Sequence, residues 1–174
     1  MDAKKILILG GTFHMVNVVE TAKRIGYYTI VADNMLGSPA KKIADKSYDI
    51  NTADIRKLAE IGRKEQIDGV FTAFDDINTW HAVALCKTLH LPFYATPAQL
   101  EITSHKKRFK EYCRTFGVQV IEEYDCDPVQ GLEFPVVKFP VIVKPADSFA
   151  SKGITVCYKE EEIAKKAVGG SKSA

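Results

Sequence analysis

The 174-residue sequence contains no apolar run approaching the ~20 residues that span a bilayer, so no membrane helix is expected. Its start, Met1-Asp2-Ala3-Lys4-Lys5 followed by only four apolar residues and then glycines, lacks the longer apolar core of a secretory signal, and a cytoplasmic location is the expectation. Charge of one sign is also missing. The 24 Lys+Arg against 22 Asp+Glu leave +2, without the basic excess that sequence-independent nucleic-acid binding requires. The four cysteines Cys86, Cys113, Cys126 and Cys157 form no C-x-x-C and have no paired histidine spacing, which excludes a zinc knuckle or redox dithiol and reads as buried thiols. There is no internal repeat, and the one low-complexity stretch is the tail from Gly169 to Ala174, which reads as a frayed or artificial end.

What is present is an alternation of strand and helix patterns. Lys4 to Leu9 is a short apolar run that stops at Gly10-Gly11, and Met15, Val18, Val19, Ala22 and Ile25 then follow at helical spacing up to Gly26. Tyr28 to Ala32 is β-branched and aromatic, runs into Asp33-Asn34, and predicts a second strand. Met35 to Lys42, with Gly37 and Pro39, reads as a loop before a third strand at Ser47 to Ile50. Ile55, Leu58, Ala59 and Ile61 restore the helical period, with Thr52 or Asp54 as cap. A fourth strand, Gly69 to Ala73, leads through Asp75-Asp76 into a helix carrying Trp80, Val83, Ala84 and Leu85. Strands separated by helices predict a parallel three-layer α/β sheet, in which ligands collect beyond the carboxyl ends of the strands. Gly10, Gly11, His14, Asp33 and Asp75 all fall at that edge and are candidate substrate-binding residues.

Beyond Pro92 and Pro97 the pattern changes. Ser104 can cap a helix with the stripe Phe109, Tyr112, Cys113 and Phe116, ended by Gly117. A strand candidate at Gln119 to Glu122, a Pro-containing connection, the strand Val141 to Lys144, a polar loop, the strand Ile154 to Tyr158 and a helix from Glu160 to Val168 follow. Two strands so close in sequence imply an antiparallel pair, and the expected boundary divides a 1–95 α/β domain from a 96–174 linker and second, α+β unit.

Three segments could carry chemistry. Gly10-Gly11-Thr12-Phe13-His14 lacks the G-x-G-x-x-G spacing of a dinucleotide site, which counts against a nicotinamide enzyme; it is either an anion cradle at a helix N-terminus or a tight turn. Asp33 stands where dinucleotide folds place a ribose-binding acid and where any turn can place an Asp. Ser104 to Lys110 is a basic cluster, either a solvated face or a phosphate patch, with Lys106 on the shoulder of the apolar stripe and Lys107 opposite it. Phe139 to Pro145 is an apolar strand ending in Lys144, whose ammonium calls for an anion unless the lysine simply guards a sheet edge. The loop after it, through Asp147, Ser148, Ser151, Lys152 and Gly153, can offer amides and hydroxyls to phosphates, or be an exposed loop. Glu160-Glu161-Glu162 reads as acids at a helix N-terminus.

In combination these features resemble the N-terminal part of an ATP-grasp ligase, in the branch of the carbamoyl-phosphate synthase large subunit, biotin carboxylase and phosphoribosylaminoimidazole carboxylase. The resemblance rests on Ile6 to Gly11, Asp33, Ser38-Pro39-Ala40, Ile43-Ala44-Asp45, Ile67 to Val70 and Pro140 to Pro145, and spans nearly the whole chain. It implies a pre-ATP-grasp, Rossmann-like parallel sheet followed by the first, antiparallel subdomain of the ATP-grasp domain. It implies ATP-binding roles for Lys106, with His105 where the family usually has Asp, for Lys144, and for Ser148, Ser151, Lys152 and Gly153. The implied activity is phosphorylation of a small carboxylate by ATP to an acyl phosphate that an amine attacks, with Mg²⁺ held by residues beyond Ala174. On this expectation the chain is the front portion of such a ligase, inactive alone, and compatible with a homodimer. The rival expectation is a non-catalytic module that binds a small anion or another protein.

Overall fold

In the computed structural model, residues 3–124, 137–144 and 154–169 are described. The chain divides into two compact units, Met1–His105 and Lys106–Ala174.

The first unit is organised by strands buried on both faces. β1 (Lys5–Leu9) and β2 (Tyr28–Asp33) are nearly continuous apolar runs, as central strands of a parallel sheet must be when helices cover both sides. They pair with β3 (Lys46–Asp49) and β4 (Gly69–Phe71) in the order β3-β2-β1-β4, every pair parallel. Alternation along β1 divides the core. Leu7 and Leu9 pack with Leu58, Ala59, Ala82, Leu85 and Cys86 of α3 (Ile55–Glu65) and α4 (Asp76–Leu89). Ile8 faces the other way, onto Met15 and Val19 of α1 (Phe13–Arg24) and Ala40 of α2 (Pro39–Ile43). Full burial of each Leu, Ile, Val or Met among them contributes roughly 1.5–3 kcal/mol.

Two sets of polar groups in this core are matched. Thr29, fully buried in β2, donates its hydroxyl and its amide to Asp45 Oδ2, each at 2.8 Å, and Asp45 pairs with Lys23 at 2.9 Å. Glu65 accepts from Lys46 Nζ at 2.7 Å and from the Tyr48 hydroxyl, which ties the end of α3 to β3.

Local signals act as the sequence predicts at several ends. Asp54 caps α3 by accepting from the Lys57 amide, Asp75 caps α4, and Gly26 and Gly117 follow their helices at φ +89° and +69°. Elsewhere the structure corrects the reading. The segment 35–42, expected as a loop, holds most of α2, because Pro39 at its first turn has the φ a helix needs. Ser104 does not cap a helix; it ends α5 (Pro97–Ser104), which begins in a reciprocal cap between Thr96 and Gln99 and packs against α4. The buried stripe of α4 is Asn78, Ala82, Val83, Leu85 and Cys86, with Ala84 exposed. Residues 119–122 form no strand.

In the second unit, α6 (Lys106–Thr115) buries no residue among those described, so Phe109, Tyr112 and Phe116 form an exposed stripe. Lys110 Nζ reaches Glu123 at 2.6 Å and fastens the helix to the chain that follows it. β5 (Val141–Val143) and β6 (Thr155–Cys157) pair antiparallel, and α7 (Glu160–Gly169) covers one side of them, burying Cys157 and Ile163. Cys86 and Cys157 are buried as expected, Cys113 is half-buried, and Cys126 lies outside the described residues. Among the described residues no helix is long and apolar enough to cross a membrane.

Candidate functional site

The strand order places a topological switch point at the carboxyl edge between β1 and β4, since the chain runs from β1 outward to β2 and β3 and returns to β4 on the opposite side. Gly10, Gly11, His14, Asp33 and Asp75 are brought together there. The Gly11 amide donates to Asp33 Oδ2 at 2.6 Å, and the Met35 amide to Asp33 Oδ1 at 2.6 Å. Both oxygens of Asp33 therefore shape the loops after β1 and β2. A Cβ on Gly11 would lie 2.1 Å from Ser38 Oγ, so only glycine lets the two loops approach. Ser38 Oγ is buried against that backbone with no hydrogen-bond partner among the described residues.

On the other side of β1, Asp75 Oδ1 accepts from the Ile77 and Asn78 amides and Oδ2 from Asn78 Nδ2 at 2.9 Å. The same Asn78 Nδ2 stands 3.2 Å from where a Cβ on Gly10 would be, and Gly10 has φ +93°. His14 meets Phe74 across the switch point, ring centroids 5.7 Å apart. Phe74 takes a left-handed φ of +63°, which costs a non-glycine residue about 1–3 kcal/mol. With Phe13 75% and Phe74 77% exposed, this edge presents an open aromatic rim above a fixed polar floor. Sequence reasoning named Ser38 only within the resemblance, without its contact to Gly11, and missed Asn78; their contacts join loops far apart in the chain.

The second candidate surface is the uncovered side of the β5–β6 pair. Register sets Ile142 opposite Val156, both exposed, and alternation places Lys144, Ile154 and Tyr158 on that same side. The result is an apolar patch with an ammonium at one end. Lys144 is solvent-exposed and makes no ion pair among the described residues. Lys106 is exposed at the first position of α6. Ser148, Ser151, Lys152 and Gly153 lie outside the described residues.

No family model matches the sequence. The formate-dependent phosphoribosylglycinamide formyltransferase of Aliivibrio fischeri is 28% identical over 168 residues, covering 93% of this chain and 42% of that protein. Among solved structures, N5-carboxyaminoimidazole ribonucleotide synthetase from Thermotoga maritima aligns with TM-score 0.70 and 25% identity, over 93% of this chain and 43% of its own. N5-carboxyaminoimidazole synthetase from Staphylococcus aureus, complexed with ADP, has the same fold: TM-score 0.68, 21% identity, 94% of this chain and 44% of its own. The chain thus spans about 42% of the length of the curated relatives it matches. These relatives are ATP-grasp enzymes, and the chain resembles their N-terminal portion, as its motifs led us to expect.

Proposed function

We propose that this chain forms the acceptor-binding sheet and the first wall of the nucleotide site of an ATP-dependent carboxylate–amine ligase. The observation that carries the reading is the uncovered face of β5–β6. Leaving Ile142, Ile154, Val156 and Tyr158 in water forgoes much of the roughly 1.5–3 kcal/mol each could contribute if buried, and the patch ends in a cation. A nucleotide matches both properties, with a flat apolar base for the patch and phosphates for Lys144. That one relative was crystallised with ADP supports the same reading.

On this reading Lys144 and Lys106 offset phosphate charge, and the segment containing Ser148, Ser151, Lys152 and Gly153 adds donors to the phosphoryl group in transfer. The carboxylate substrate is activated as an acyl phosphate, and an amine displaces phosphate from it. The acceptor lies over the switch point, where Gly10, Gly11 and His14 line the floor and rim, Asp33 holds the Gly11 amide and Asp75 holds Asn78 beside Gly10. The carbamoyl-phosphate-synthase-like branch rests on the sequence resemblance. Mg²⁺ would shield the transferring phosphates, but among the described residues no group of three or more His, Cys, Asp or Glu could hold a metal ion, and no step is assigned to one.

Photolabelling with 8-azido-ADP followed by peptide mapping tests the reading. Label on β5 or β6, displaced by unlabelled ATP, is the expected result. Displaceable label confined to residues 1–105 would overturn it.

A further inference from the structure

Each of the three connections that meet at the carboxyl edge of the first unit contains a residue in the left-handed region. After β1 it is Gly10 at φ +93° and after β2 it is Gly37 at φ +68°, and glycine, lacking a Cβ, takes that conformation freely. After β4 it is Phe74 at φ +63°. Glycine would serve that turn as well, so phenylalanine adds strain that the turn itself does not need. Packing does not offset the strain, because Phe74 is 77% exposed and belongs to neither core cluster of the described residues. A large ring held in water on a strained backbone serves something other than folding.

The neighbours of that ring indicate its use. His14 stands 5.7 Å from Phe74 between ring centroids and meets the Phe13 ring edge-on at 6.4 Å, so three rings form a row across the switch point. Ile77 in the first turn of α4, and Met35 and Leu36 after β2, are also exposed. Single exposed apolar side chains are ordinary, but here five, Phe13, Met35, Leu36, Phe74 and Ile77, sit on or beside three adjoining connections. The carboxylates below them are engaged within the protein: Asp33 accepts two amides, and Asp75 accepts two amides and the Asn78 side chain. Recognition of a molecule lying over this edge therefore falls to the rings, whose faces favour another ring or a branched alkyl group.

We propose that Phe74, together with Phe13, selects an acceptor substrate that carries an aromatic or branched apolar body, which lies against this row of rings. The proposal rests on the ligase reading and names the class of acceptor that the site takes. The test uses a longer form that carries the rest of the nucleotide site, supplied with ATP and Mg²⁺, and measures phosphate release stimulated by L-phenylalanine, L-leucine or glycine. All three offer the same amine and the same carboxylate, so the comparison holds whichever of those groups is joined. The expected result is a KM at least about tenfold lower for phenylalanine and leucine than for glycine, with that preference largely lost in Phe74→Gly and reduced in Phe13→Ser. Because glycine suits the left-handed φ, Phe74→Gly should unfold at the same or a higher temperature. No stimulation by phenylalanine or leucine, equal KM for the three amino acids, or a preference undiminished in both variants would overturn the proposal and leave the ligase reading standing. So would a Phe74→Gly protein that unfolds at lower temperature with its preference intact, since the rim would then be a packing surface. A longer form that binds no ATP in titration calorimetry would instead overturn the ligase reading, and this proposal with it.

Discussion

Gly11, in the loop after β1, and Asp33, twenty-two residues on at the end of β2, are joined by a 2.6 Å hydrogen bond from the Gly11 amide to Asp33 Oδ2. Through that bond the end of β2 determines the course of the loop after β1. A carboxylate with both oxygens receiving backbone amides works as part of the scaffold even when it stands at the edge where substrate is expected.

Replacing Asp33 with Asn keeps the shape but sets an NH₂ against one of the two amides. We expect a loss of about 1–3 kcal/mol, the usual cost of leaving a buried donor without an acceptor, where the NH₂ faces the buried Gly11 amide, and a smaller loss where it faces the exposed Met35 amide. Faster hydrogen exchange at either the Gly11 or the Met35 amide, with the rest of the sheet unchanged, is the corresponding measurement.

Gly11→Ala introduces a methyl group 2.1 Å from Ser38 Oγ and 3.0 Å from Ser38 Cβ. Urea unfolding should show a destabilisation of ~1–3 kcal/mol, as for other overpacked sites. Adding Ser38→Gly removes both atoms and should recover part of the loss; a double variant as unstable as the sum of the singles would contradict the contact.

Glu65 is held below its ordinary value of 4.5 by hydrogen bonds from Lys46 and then Tyr48, against the opposing effect of burial. A carboxyl depressed in the folded state contributes stability that is complete above 4.5 and is lost as pH falls through the lower, folded value. Unfolding free energy should therefore fall on acidification below about 4.5, and Glu65→Gln should flatten that slope. An identical pH profile in the variant would refute the role of this carboxylate.

Burial pushes the Cys86 thiol up to about 11, with a hydrogen bond from the Val70 backbone amide to the sulfur acting in the opposite direction. At mildly alkaline pH the folded chain should leave Cys86 unmodified by iodoacetamide while Cys113 on α6 reacts, and urea should expose both. Peptide mass spectrometry reads the two positions separately.

Strands and caps were legible because their signals are local. A five-residue run such as Lys5 to Leu9 ending in glycines, or an Asp two residues before a helical stripe, needs no distant partner to act. The helices α2 and α5 were hidden because each opens with a proline, which reads as a loop unless the residues after it are recognised as a helical turn. Residues 119–122 failed in the opposite direction: an apolar and β-branched composition gives no ladder without a neighbouring strand to bond. At the candidate site the sequence indicated Gly10, Gly11 and Asp75, but not that Asn78 bonds Asp75 and crowds Gly10, nor that Ser38 closes on Gly11. Those contacts exist only once β2, β1 and β4 lie side by side.

The most direct test is ATP binding, measured by titration calorimetry at low salt, to a longer form that carries the rest of the nucleotide site and to its Lys144→Ala variant. The account predicts a saturable affinity that falls at least about tenfold in the variant, the loss expected when a charge-assisted phosphate contact is removed. Equal affinity in the two proteins, or no ATP binding by either, would contradict it.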